Sequence, residues 1–204
     1  MLAAVLLAGC GGGHESDAHA PVFDAQILSD PAADGDIAFS APSTHTVSSA
    51  LATGNIQVGI DPGTGDEFRG FLDFPIRGDG GVPEGAAIDS ATLEIFVNNM
   101  TLPFPGQGIP VLIDLVSFQP PTLIASDFDR LAQPALLTMA FDFLPSDTGT
   151  FVAIDVTVLM EQAQFENLPD LQLRILPDFL AGSGLVEIDD GDAATAPLLT
   201  VSYF

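Results

Sequence analysis

The chain has 204 residues, 47% hydrophobic and 16% charged, which is enough apolar material for one sizeable domain and too much for a disordered chain. Twenty-eight acidic residues stand against four arginines and no lysine. The formal net charge of -24 repels a phosphate backbone or an anionic membrane surface and excludes nucleic acid as a partner.

The N-terminus reads "MLAAVLLAGCGGGHESDAHAP". Its apolar run is shorter than the roughly 20 residues that span a bilayer and has the length of an export signal's apolar region. Leu7-Ala8-Gly9-Cys10 resembles the lipobox of bacterial lipoproteins, which implies lipidation of Cys10 and a mature chain that begins there. No basic residue precedes the apolar run, as a start placed downstream of the true one would produce. Cys10 is the only cysteine, so no intramolecular disulfide forms. The expected organisation is a signal over residues 1–9, a lipidated Cys10 and flexible spacer over 10–21, and one domain over 22–204. His14 and His19 in the spacer lack further ligands at metal-binding spacing. No aspartate follows Cys10 directly, so the resemblance implies the outer membrane or cell surface.

From Val22 onward twelve strand candidates follow in order: "APVFDAQIL", "DIAFSA", "THTVSSAL", "NIQVGI", "FRGFLDFPI", "ATLEIFVNN", "PVLIDLVSF", "LLTMAFDF", "FVAIDVTVL", "LQLRIL", "GLVEIDDG" and "LLTVSYF". Twenty glycines and sixteen prolines punctuate the chain, in turn clusters such as "DPGTGD" and "RGDGGVPEG". Short, regularly spaced strands with polar turns predict an all-β, jelly-roll-like antiparallel β-sandwich with at most one or two short helices. In "TLEIFVNN" Leu93, Ile95 and Val97 share one face and Thr92, Glu94, Phe96 and Asn98 the other. One helical turn is expected after Asp155, with Thr157 as N-cap and Glu161 near the positive end of the dipole.

Three blocks then carry a family resemblance. "FRGFLDFPIRGDGGVPEGAAIDSATLEIFVNN" has an Arg-led strand, a Pro-Glu-Gly-Ala turn and a second strand. "FVAIDVTVLMEQAQFENLPDLQLRIL" follows, with Asp155, Val156, Thr157 and Leu159, and the chain ends on "APLLTVSYF", with Pro197, Leu199, Val201 and Tyr203. In this order, over residues 45–204, the chain resembles the DNRLRE-type domain family. The resemblance implies a jelly-roll sandwich on a surface protein, related to carbohydrate-binding modules, that binds or displays without turnover. One departure concerns sugar stacking, which uses Trp and Tyr, whereas this chain has no Trp, one Tyr and fifteen Phe that read as core.

Catalysis finds little support. His45 is the sole histidine beyond the spacer, and the serines around it are ordinary loop or edge-strand composition. Carboxylates are too abundant for a pair of them to signal glycoside hydrolysis. Calcium is the candidate cofactor, because hard cations take six to eight oxygens from acidic loops. Three clusters qualify: Asp61, Asp66 and Glu67; Glu187, Asp189, Asp190 and Asp192; and Asp30, Asp34 and Asp36. None fits the EF-hand loop, since in the last Ala32 takes the third position and Ala41 the twelfth. The alternative is that all three are solvated turns. Arg77-Gly78-Asp79 sits in a glycine-rich turn and reads as part of it.

In "FRGFLDFPI" Arg69, Phe71 and Asp73 share one face, and Gly70, Leu72, Phe74 and Ile76 the other, which is core. Arg69 is expected to pair with Asp73, or with Glu94 or Asp155 on a neighbouring strand. Alternatively Arg69 and Phe71 lie on an exposed concave face, with Asp73 fixing the guanidinium for a ligand. The sequence thus points to a lipid-anchored, non-catalytic envelope protein that binds polysaccharide at this face. The other reading is a structural component of the surface with no small ligand.

Overall fold

In the computed structural model, residues 21–102, 104–118, 122–178 and 183–204 are described; Cys10, His14 and His19 lie outside them. All twelve runs form strands: β1 (Phe23–Leu28), β2 (Gly35–Ser40), β3 (Thr44–Ser49), β4 (Asn55–Ile60), β5 (Glu67–Phe74), β6 (Ile88–Thr101), β7 (Ile109–Val116), β8 (Leu137–Phe143), β9 (Thr150–Asp155), β10 (Leu171–Pro177), β11 (Gly184–Asp189) and β12 (Leu198–Tyr203). Every pairing is antiparallel, in the order β1-β12-β6-β11-β4-β5-β10-β7-β8. β9 lies on the other edge of β6, β2 pairs with β5, and β3 pairs with β2. The sheet curls on itself, giving the expected all-β antiparallel sandwich. No helix among the described residues is long and apolar enough to cross a membrane.

The long strand β6 ties the layers together. Its first half pairs with β12, its last residues pair with β11, and β9 covers the opposite edge from Thr92 to Val97. Leu93, Ile95 and Val97 point into the main core, as their alternation predicts, and meet Ile56 and Val58 of β4, Leu72 and Phe74 of β5, and Leu173 and Ile175 of β10. Two glycines permit close approaches in this packing. At Gly59, with φ +122°, a Cβ would lie 2.1 Å from the carbonyl oxygen of Gly184 on β11. A Cβ at Gly70 would fall 2.7 Å from a Val58 methyl and 2.8 Å from an Ile56 methyl, so these side chains of β4 pack onto β5 where β5 lacks one.

Among the described residues there are two short α-helices, α1 (Ala50–Thr53) and α2 (Thr157–Phe165). α1 takes the end of the run read as "THTVSSAL". α2 is nine residues long, more than the single turn expected, and Thr157 is its first helical residue while Val156 holds the cap position. The Thr157 hydroxyl works sideways, accepting the Ala91 N–H at 2.9 Å and donating to Asp155 Oδ1 at 2.6 Å. These bonds from Thr157 pull the Asp155 pKa below the usual carboxylate range. The helix docks because Leu159, Met160 and Ala163 are buried in the main core.

A second, smaller apolar cluster lies on the outer side of the sheet. Ile37, Phe71, Val116, Phe118 and Phe128 form it, with Phe39 and Leu123 packed against it. It exists because the β7–β8 connection, with a 3-10 turn over Ala125–Phe128, folds back across β5 and β10. As a result every residue of β5 from Arg69 to Phe74 is buried.

Candidate functional site

The face of β5 that carries Arg69, Phe71 and Asp73 is not open. Their exposures are 8%, 1% and 4%, so the exposed concave face is corrected to a covered one. Register dictates what meets there: β10 sets Arg174 opposite Phe71 and Gln172 opposite Asp73, and β7 sets Asp114 opposite Arg174. Three of the four arginines thus gather on one side of the sheet.

At its centre is a fully buried ion pair. Arg174 donates to Asp114 Oδ2 from Nη2 at 2.7 Å and from Nε at 3.2 Å, and Nη1 donates to the Asp127 carbonyl at 3.1 Å. Burial pulls the Arg174 pKa down and Asp114 holds it up. The second oxygen of Asp114 accepts from Arg130 at 2.9 Å and from the Thr138 hydroxyl at 2.6 Å. Further along, Gln172 donates to Asp73 at 3.2 Å and accepts the Phe118 N–H at 2.8 Å, pinning the start of the covering segment. Burial pushes the Asp73 carboxyl up to about 6. The centre of this network is structural. Asp114, Gln172 and Arg174 are its main residues, and their signal in the sequence is one polar or charged residue in β7 and two in β10, inside otherwise apolar strands.

The network opens to solvent at its Arg69 end. Arg69 pairs with Glu67, two residues away on the same face, at 2.6 Å, and not with Asp73, Glu94 or Asp155. Its Nη1 donates to the Phe128 carbonyl, and its guanidinium carbon sits 3.9 Å from the centre of the Phe128 ring. Beside it is a surface depression of about 340 Å³ lined by Phe39, His45, Glu67, Arg69, Phe128, Asp129 and Arg130. The His45 ring lies 5.0 Å from that of Phe39 and 4.9 Å from that of Phe128. Aromatic faces and charged hydrogen-bonding groups therefore border one concavity, a combination suited to a hydroxyl-rich ligand.

The acidic loops are placed apart from this depression, except for Glu67. Asp61 closes its own turn by accepting the Gly63 N–H at 2.7 Å, and Glu67 is held by Arg69. The backbone N–H of Asp66 donates to the Thr64 hydroxyl at 3.2 Å within the same loop. Glu187 accepts from Asn98 at 3.0 Å, and Asp189 and Asp192 each accept a backbone N–H two residues on. Asp30 does the same with Ala32, and Asp36 accepts the Gln57 N–H at 3.2 Å. Among the described residues no three side chains of Asp, Glu, His or Cys converge as a metal-holding group. Asp190 and Asp34, from two different clusters, are buried at 6% and 1% exposure. Arg77 is turned inward, donating to the carbonyls of Leu168 at 3.1 Å and Val82 at 3.0 Å, so Arg77-Gly78-Asp79 is a turn whose cation is occupied. Comparison with protein-family models and with curated proteins finds no match for this chain.

Proposed function

We propose that the protein is a non-catalytic binding module of the bacterial envelope, anchored through lipid on Cys10, that takes a polysaccharide in the depression beside Arg69. One observation carries this reading: the Phe39 and His45 rings share a concavity with the guanidinium of Arg69 and with Arg130. The rings offer a stacking surface in a chain without Trp, and the guanidinium groups supply donors for sugar hydroxyls. The resemblance to the DNRLRE-type family, with its surface display, supports the same reading. The site lies one step outward from Phe71 and Asp73, which serve the fold.

A glycan-binding screen with the protein, repeated with His45→Ala, tests it. The expected result is binding that weakens up to about tenfold in the variant, the scale of one aromatic contact, with an unchanged melting temperature. Binding that His45→Ala leaves intact rejects the site, and absence of binding to any glycan favours a structural component of the surface. The anchor is tested separately. Cys10→Ser is expected to move the protein from the membrane fraction to the soluble fraction, since the lipid alone supplies lasting attachment; a parent protein that is already soluble removes the anchor from the proposal.

A further inference from the structure

Buried polar atoms are almost always hydrogen-bonded, so those without a partner mark places where something else is accommodated. Among the described residues seven buried side-chain oxygens and nitrogens have none, and four of them occur together: Ser29 Oγ, Asp34 Oδ2, and both Oδ1 and Oδ2 of Asp190. Two loops bring them into one place. Ser29 and Asp34 lie in the β1–β2 connection, and Asp190 follows β11. α1 joins the two, because the Asp34 carbonyl accepts the Ala50 N–H at 3.0 Å and the Gly54 carbonyl accepts the Asp190 N–H at 2.9 Å.

Ser29 and Asp190 line the same cleft, of about 360 Å³, whose remaining walls include Leu28, Pro31, Leu51 and Ala196. The Ser29 hydroxyl faces the Asp34 carboxyl as a weak hydrogen-bond donor, and Asp190 lies within electrostatic reach of it. The other oxygen of Asp34 is used, accepting the Asp73 N–H at 2.6 Å, so the carboxylate is fixed in orientation. No arginine hydrogen-bonds to either carboxylate: the ion pairs among the described residues involve only Glu67 and Asp114. Without a cation these two carboxyls are held in their protonated form by burial, and a bound cation is what would let them ionise in place.

We propose that this cleft is a binding site for one divalent cation of the calcium type, with Asp190, Asp34 and Ser29 as its protein oxygen ligands. Two carboxylates balance a charge of two. Both oxygens of Asp190 are without partners, and calcium takes six to eight oxygens and fills the remainder with carbonyls and water. Neither acidic loop alone supplies the set. The site is independent of the depression at Arg69, which lies on different strands, so failure of one proposal leaves the other standing.

The test uses the protein stripped with a chelator, then titrated with calcium at pH 7.5 by calorimetry and followed by thermal melting. One saturable equivalent is expected, with a melting rise of about 5–10 °C at a hundredfold excess over Kd. Magnesium should bind more weakly, because it holds a strict octahedral shell and dehydrates reluctantly. Asp190→Asn, nearly isosteric, should abolish the equivalent. Ser29→Ala, which removes one neutral ligand, should weaken it at least severalfold and serves if the first variant does not fold. The proposal is overturned if calcium produces neither heat nor shift, if the shift survives in Asp190→Asn, if Ser29→Ala binds calcium with the parent's affinity, or if methylammonium saturates the site in place of calcium.

Discussion

Replacing Asp114 by alanine is expected to destabilise the protein by about 3–5 kcal/mol, the cost of leaving a buried charge without its partner. Arg174 has no exposed side-chain surface and donates two bonds to Asp114, so removal of that carboxylate strands a guanidinium inside the sheet. Arg130 suffers less, because its side chain is 40% exposed and can turn to water. For a domain of this size the melting temperature should fall by about 6–20 °C. The double variant Asp114→Leu, Arg174→Met removes both charges and is expected to recover most of the loss, because apolar residues of similar volume often match a buried ion pair. A double variant as unstable as the single one would show that the Arg174 bond to the Asp127 carbonyl, and the loop closure it maintains, carries the stability instead.

That pair shows how far the sequence could be read. Strand positions were legible because strict alternation and Gly/Pro turns are local signals, and Leu72, Phe74 and Ile76 lie in the core as their alternation requires. Alternation also separated Arg69, Phe71 and Asp73 onto the other face. It could not reveal that residues 122–136 fold over that face, because the cover comes from a connection far along the chain. Asp114 and Arg174 are each conspicuous as a lone charge in an apolar strand, yet their pairing depends on the β7–β10 register across 60 residues. Arg69 took Glu67 because residues two apart on a strand share a face, a nearer option than Glu94 or Asp155. The cleft at Asp190 was less visible still. Its two carboxylates belong to separate acidic clusters, and neither differs in sequence from the turn-forming aspartates beside it.

In a chelating buffer the protein is expected to lose stability as pH rises, on the order of 5 kcal/mol between pH 5 and pH 7. Burial drives the Asp34 carboxyl from the ordinary 3.8 up to about 9, and those of Asp36, Asp73 and Asp190 up to about 6. Each therefore binds its proton more tightly folded than unfolded. Such a group contributes fully below about pH 4, and its contribution fades as pH rises through the folded value. Asp34 stays protonated when folded and ionised when unfolded across the whole window, and each of the other three loses a little under half of its contribution within it, the rest having gone below pH 5. Asp155, whose pKa is lowered, acts in the opposite sense but lies at the surface and offsets little. Urea unfolding at pH 5, 6 and 7 should give a falling series, and Asp34→Asn should flatten it, since the amide needs no proton to remain neutral. A series that rises with pH would mean that these carboxylates are ionised at little cost. Returning calcium should flatten the series even in the parent protein, because ligand carboxylates must be deprotonated to bind and the cation then stabilises the form that high pH produces.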